Sequence, residues 1–157
     1  TSAVGSVDQI VLGRGVTGVA DNAITLGDVT RAITCNFDAD QTWDAPSDLR
    51  MKDVIGESKL GLKFINMLKP IEYTFKPISE WPAEWGVPVD GPLHQGVMLG
   101  MGAQHVKAAL DASEVTVFAG WTQKENGQQL LGESAFVYPL INAVNELTKR
   151  LAKLENR

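Results

Sequence analysis

Ser47-Asp-Leu-Arg-Met-Lys52 and, nine positions on, Gly61-Leu-Lys-Phe-Ile-Asn-Met-Leu-Lys-Pro70-Ile-Glu-Tyr-Thr-Phe-Lys76 mark the place where this chain changes character. Before them, from Cys35 to Pro46, the sequence is polar, acidic and non-periodic, and reads as an exposed connector. Within and around them the apolar residues Ile55, Leu60, Leu62, Phe64, Ile65 and Leu68 are amphipathically spaced, so a helix is expected over residues 59–67, ended by Pro70. Residues 71–76 then alternate apolar and polar, as a strand does. Ser47 followed by Asp48 is a common helix N-cap arrangement. The same serine lies five positions from Lys52, near enough for a turn to join them. A lysine whose pKa is lowered by burial can take the proton of a serine hydroxyl and make it a nucleophile. Composition alone favours the cap. Asp48 and Arg50 read equally well as a pair that orients the loop or as two solvated charges.

Toward the C-terminus, residues 77–92 are rich in Pro, Gly and Trp and form a long loop, with Trp81 and Trp85 expected to anchor it to the domain. A buried segment at residues 96–100, a short helix over 103–109 and a strand over 115–121 follow. The last element is a long helix over residues 135–157. Its apolar residues Val137, Leu140, Val144, Leu147, Leu151 and Leu154 are spaced 3, 4, 3, 4, 3, the alternation of a coiled-coil seam. Lys149, Arg150, Lys153, Glu155 and Arg157 leave the final turns polar outside that narrow stripe, which favours self-association over packing on a wide core.

Toward the N-terminus, Asp8-Gln-Ile-Val-Leu-Gly13 is echoed fourteen positions later by Asn22-Ala-Ile-Thr-Leu-Gly27. Each copy reads as one strand, with Ile10 and Leu12, or Ile24 and Leu26, on one side and the glycine turning the chain. Strands this short must stack on neighbours or on other chains. Gly13-Arg-Gly15-Val-Thr-Gly18 matches the dinucleotide-binding glycine pattern, but that motif needs a helix starting at the glycines. Here Val16, Thr17 and Val19 read as turn and strand, and the repeat already accounts for the glycines.

The net charge of −5 argues against nucleic acid as the main partner. The longest apolar runs fall far short of the roughly 20 residues needed to span a bilayer, so no membrane insertion is expected. No signal peptide is evident, and an opening Thr1-Ser2 suggests a piece of something longer. Cys35, alone, offers neither a disulfide nor a zinc site and is expected to be buried or half-buried. His94 and His105 lie eleven positions apart with neither metal-ligand spacing nor a nucleophile elbow. No metal and no cofactor are expected.

In this order, the S-D-x-R-x-K opening at Ser47, the segment Leu68-Lys-Pro70-Ile-Glu-Tyr73, Gly102-Ala-Gln104-His-Val and the terminal Leu140-Ile-Asn-Ala-Val-Asn-Glu-Leu147 resemble the C-terminal intramolecular chaperone domains of phage tailspikes, tail fibres and neck appendages. The resemblance covers residues 47–157. His105 stands where the family usually has an acidic residue, and the Trp-rich loop is longer. The N-terminal repeat also looks like the β-roll and β-helix repeats of trimeric adhesin heads and phage fibres. The fold class this implies is α+β: a β-repeat (β-helix or β-roll) segment and connector over residues 1–46, then a mixed α/β chaperone domain over 47–157 ending in a coiled-coil-like helix, the whole a homotrimer. The resemblance further implies a chaperone that holds an upstream fibre segment, its folding client, in register. It would then cut itself off between Pro46 and Ser47 as a single-turnover serine autoprotease with a Ser47–Lys52 dyad. The fibre would belong to the virion, with the chaperone released in the host cytoplasm during assembly and the mature fibre meeting a host-cell surface receptor. A non-cleaving trimerisation module and a receptor-binding tip, presenting the Trp81–Trp85 loop, remain as alternatives.

Overall fold

A computed structural model describes residues 2, 4–38, 42–88 and 93–156. Thr1, part of the connector (39–41), the end of the Trp-rich loop at Pro92 and Arg157 lie outside them. The chain is α+β, with small sheets and a long C-terminal helix. It forms two compact units, Thr1–Ile55 and Gly56–Arg157. Residues 47–52 therefore pack with the first.

The first unit is a four-stranded sheet in the order β1 (Gln9–Arg14), β2 (Ala23–Asp28), β3 (Ala32–Asn36) and β4 (Trp43–Asp44). The two copies of the repeat are its β1 and β2, paired parallel with Gln9 opposite Ala23 through to Arg14 opposite Asp28, so each copy makes one strand of the pair. Even the departures from ordinary backbone recur, because Asp8 and Asn22 both take left-handed conformations, with φ of 51° and 52°. Gly13 and Gly27 lie within the strands and do not turn the chain as expected. With φ of 140° and 153° they bring backbones together: a Cβ on Gly13 would sit 1.7 Å from the Gly27 carbonyl oxygen.

β2–β3 and β3–β4 are antiparallel. Opposed residues share a face, which puts Ile10, Ile24, Cys35 and Trp43 in one row and Leu12, Leu26 and Ile33 in the next. Ile10, Leu12, Ile33 and Trp43 of that face are exposed. The other face, with Ala23 and Thr25 buried, is covered by residues 16–20, where Val16 is buried and the Gln9 amide donates to the Ala20 carbonyl at 2.6 Å. Residues 16–19 form no strand, contrary to expectation, because they cross over this face instead of pairing along it. The connector also departs from expectation: Trp43 and Asp44 pair with Cys35 and Thr34 and end it as a strand. Cys35 is half-buried.

The second unit gathers around Leu60, Phe64, Val106, Ala109, Leu110 and Phe136. Phe64, 1% exposed, contacts Phe118 and Phe136 with ring centroids 5.9 and 6.4 Å away, and burying one such ring contributes about 1.5–3 kcal/mol. The helix expected over residues 59–67 is the shorter α1 (Leu62–Ile65), because it cannot start before Gly61. Gly61 brings no capping side chain; Glu146 of α3 (Val137–Glu155) instead accepts from the Leu62 N–H at 3.2 Å, and the Asn142 amide donates to the Leu60 carbonyl at 2.9 Å. A 3-10 turn, Glu133–Phe136, leads directly into α3.

β5 (Pro70–Tyr73) pairs antiparallel with β6 (Met98–Met101), which runs through Gly102 into α2 (Ala103–Asp111). The strand expected over 71–76 stops at Tyr73, where its partner ends. The segment expected to be buried at 96–100 is not: β6 is covered along one edge only, and Val97 and Leu99 face solvent. Nor do residues 115–121 form one strand. Glu114, with φ of 55°, turns the chain after α2, Val115 and Phe118 go singly to the core, and only Trp121 joins a strand. That strand is β7 (Trp121–Gln123), in a hairpin with β8 (Gln129–Leu131). Trp81 and Trp85 end two successive 3-10 turns and pack on each other at 6.2 Å, Trp81 reaching Phe75 at 5.9 Å, so they anchor the loop through the residues following β5.

Gly13→Ala is expected to destabilise the first unit by about 3 kcal/mol, through a backbone clash that no side-chain rotation relieves. Urea unfolding followed by Trp43 fluorescence measures it.

Candidate functional site

Asp44 is the last residue held by the β3–β4 ladder, after which Ala45, Pro46 and Ser47 lead, outside any helix or strand, into a 3-10 turn, Leu49–Met51. Asp48 caps that turn. Its carboxylate accepts from the Arg50 N–H at 2.8 Å, and the Met51 N–H donates to the Asp48 carbonyl at 3.1 Å. The Arg50 guanidinium closes on the same carboxylate, Nε at 3.0 and 3.1 Å and Nη2 at 2.5 Å. Asp48 and Arg50 are thus one clamp, in which the cap expected of Ser47 is made by its neighbour.

With the cap role taken, the Ser47 hydroxyl is left for another partner. The turn returns Lys52 to extended backbone, with φ −120° and ψ 132°, and its Nζ donates to Ser47 Oγ at 2.6 Å. The structure therefore brings Ser47 and Lys52 together, directly after Pro46. Both are exposed in the single chain. Beside them Ala45, Pro46, Met51 and Lys52 line a groove of about 340 Å³ together with Leu26 and Ile33 from the apolar sheet face and with Thr30, Arg31 and Ala32. Sequence reasoning missed this groove. Its walls come from three parts of the chain joined only by the sheet register.

The Arg50 guanidinium, with the Arg50 N–H behind it, holds the Asp48 carboxyl below its ordinary value, and the carboxylate in turn raises Arg50. His94 and His105 are placed apart from residues 47–52 in the sequence and belong to the second unit. Among the described residues no cluster of three or more His, Cys, Asp or Glu is placed to hold a metal, and no helix is long and apolar enough to cross a membrane. No protein-family model matches this chain, and none of the curated proteins matches it.

Because the folded Asp48 pKa is depressed, its contribution to the turn is present above the ordinary carboxylate value of about 3.9 and is lost as pH falls through the lower folded value. A carboxyl-detected NMR titration is expected to place the Asp48 midpoint below the ordinary carboxylate value, and Arg50→Ala to raise it.

Proposed function

We propose that this chain is an intramolecular chaperone that assembles and registers a phage fibre or tailspike and then releases itself by autoproteolysis between Pro46 and Ser47. The observation that carries the reading is the 2.6 Å contact between Lys52 Nζ and Ser47 Oγ, one residue past the bond to be cut. With the amine neutral, the same contact runs the other way and the hydroxyl gives its proton to Nζ. Oγ attacks the Pro46 carbonyl carbon, the Pro46–Ser47 C–N bond breaks, and the freed amine takes the proton. Pro46 is left as an ester on Ser47. Water hydrolyses that ester to a Pro46 carboxylate and restores the hydroxyl.

A lysine serves as base only where its surroundings disfavour the ammonium. Ser47 and Lys52 are exposed in the single chain, so the reading places cleavage after assembly, when neighbouring copies exclude water from the dyad. The α3 seam supplies the means of assembly. Leu140, Val144, Leu147, Leu151 and Leu154 are 47–64% exposed, while Pro139 and Ala143 of the same helix are buried. In this reading the chain forms a homotrimer and the parallel pair of β1 and β2 is the end of a fibre's β-repeats. The same seam also favours a second reading, a trimerisation module that does not cut.

Ser47→Ala is expected to leave assembly intact and abolish the cut, and Lys52→Met to nearly abolish it, both read on a denaturing gel. Normal cutting in either variant rejects the dyad. Replacing Leu147 and Leu151 together with Asp places two charges in a desolvated seam, at several kcal/mol each. Light scattering should show monomer and the gel an uncut chain; a monomer that cuts separates the chemistry from assembly.

A further inference from the structure

Cutting at Pro46 demands more than a nucleophile and a base, because the carbonyl must also be held against Ser47 Oγ. The pyrrolidine ring fixes φ of Pro46 but leaves the carbonyl free to swing about ψ. On one side of the bond the chain is tied down as far as Asp44, which pairs with Thr34. On the other side it is tied by the Asp48-capped turn. Between these ties Pro46 lines the groove together with Met51, Leu26 and Ile33, and Thr30, Arg31 and Lys52 supply the polar part of its lining.

The turn carries two large apolar side chains, Leu49 and Met51, and both are strongly exposed, at 72% and 65%. Neither stabilises the turn by burial. Only Met51 of the pair lines the groove. An unbranched thioether fills an irregular gap beside a rigid ring well, and with the ring held on one side of the Cα–C bond and the Asp48-capped turn holding the chain on the other, the swing about ψ is limited.

We infer that Met51 is a positioning residue for the cut, forming with Leu26 and Ile33 the apolar seat of the Pro46 ring and so fixing the scissile carbonyl against Ser47 Oγ. The inference rests on the autoproteolytic reading of Ser47 and Lys52. It makes the apolar face of the sheet part of the reaction, since Leu26 and Ile33 are neighbours in one cross-strand row. It also gives residues 49 and 51 different duties within one turn.

The test compares four full-length chains: the parent, Met51→Ala, Met51→Leu and Leu49→Ala. The rate at which the fragment beginning at Ser47 appears is followed on a denaturing gel, with light scattering and circular dichroism on each uncut chain. Met51→Ala is expected to slow the cut about tenfold or more, in the range small misplacements of a reacting group cause, with assembly and circular dichroism unchanged. Met51→Leu restores most of the rate by refilling the seat, and Leu49→Ala cuts as the parent does. Equal rates for Met51→Ala and Leu49→Ala overturn the inference and leave the dyad standing. A parent that never cuts, or a Ser47→Ala chain that cuts normally, overturns the proposed autoproteolysis and this inference with it.

Discussion

The side of α3 that packs inward is its narrow one, and that choice constrains the second unit. α3 buries Pro139 and Ala143, and Asn142 and Glu146, one turn apart on the same side, bond the backbone on either side of Gly61. A Cβ on Gly61 would fall 2.0 Å from the Glu146 carboxylate, so the close approach and the hydrogen bond depend on the same missing side chain. Because α1 is only four residues long and lacks a cap of its own, the carboxylate from α3 completes its first turn. With the inward side of α3 given to small and polar groups, its leucines are left outside. The exposed seam follows from how the core is closed.

The first unit has a comparable asymmetry. The sheet covers one face with its own crossing segment and leaves the other apolar, and the rows Ile10–Ile24–Cys35–Trp43 and Leu12–Leu26–Ile33 run toward residues 45–52. The second copy of the repeat, β2, thus also contributes Leu26 to the groove that Pro46 lines. In the proposed account the two exposed apolar surfaces have different duties: the helix seam brings copies together and the sheet face seats the bond to be cut. Each lies within its own unit.

Much of this was legible in the sequence where the signal is local. The fourteen-residue echo marked β1 and β2 as strands, though their mutual register came only with the structure, and the 3-4 spacing marked α3 and its exposed stripe. The Ser47–Lys52 contact follows from a five-residue separation across a turn. Features set by distant partners could not be read. The start of α1 is decided by Glu146, 84 positions away, and the pairing of Trp43 by Cys35. Residues 115–121 read as a strand, whereas Val115 and Phe118 pack singly on the core and only Trp121 joins a strand. Ser47 looked like a cap because a cap is present, though Asp48 makes it, and only side-chain geometry separates the two.

The central claim concerns one covalent bond, and the chemistry around it is balanced by a single water. If Ser47 attacks the Pro46 carbonyl and water hydrolyses the ester, the assembled chain becomes two polypeptides whose masses sum to that of the uncut chain plus one water. Intact-mass spectrometry of the full chain, isolated as its assembled species, reads this directly. The account predicts two masses with the break between Pro46 and Ser47. A single uncut mass in a chain shown to be assembled, or a break at any other bond, contradicts it.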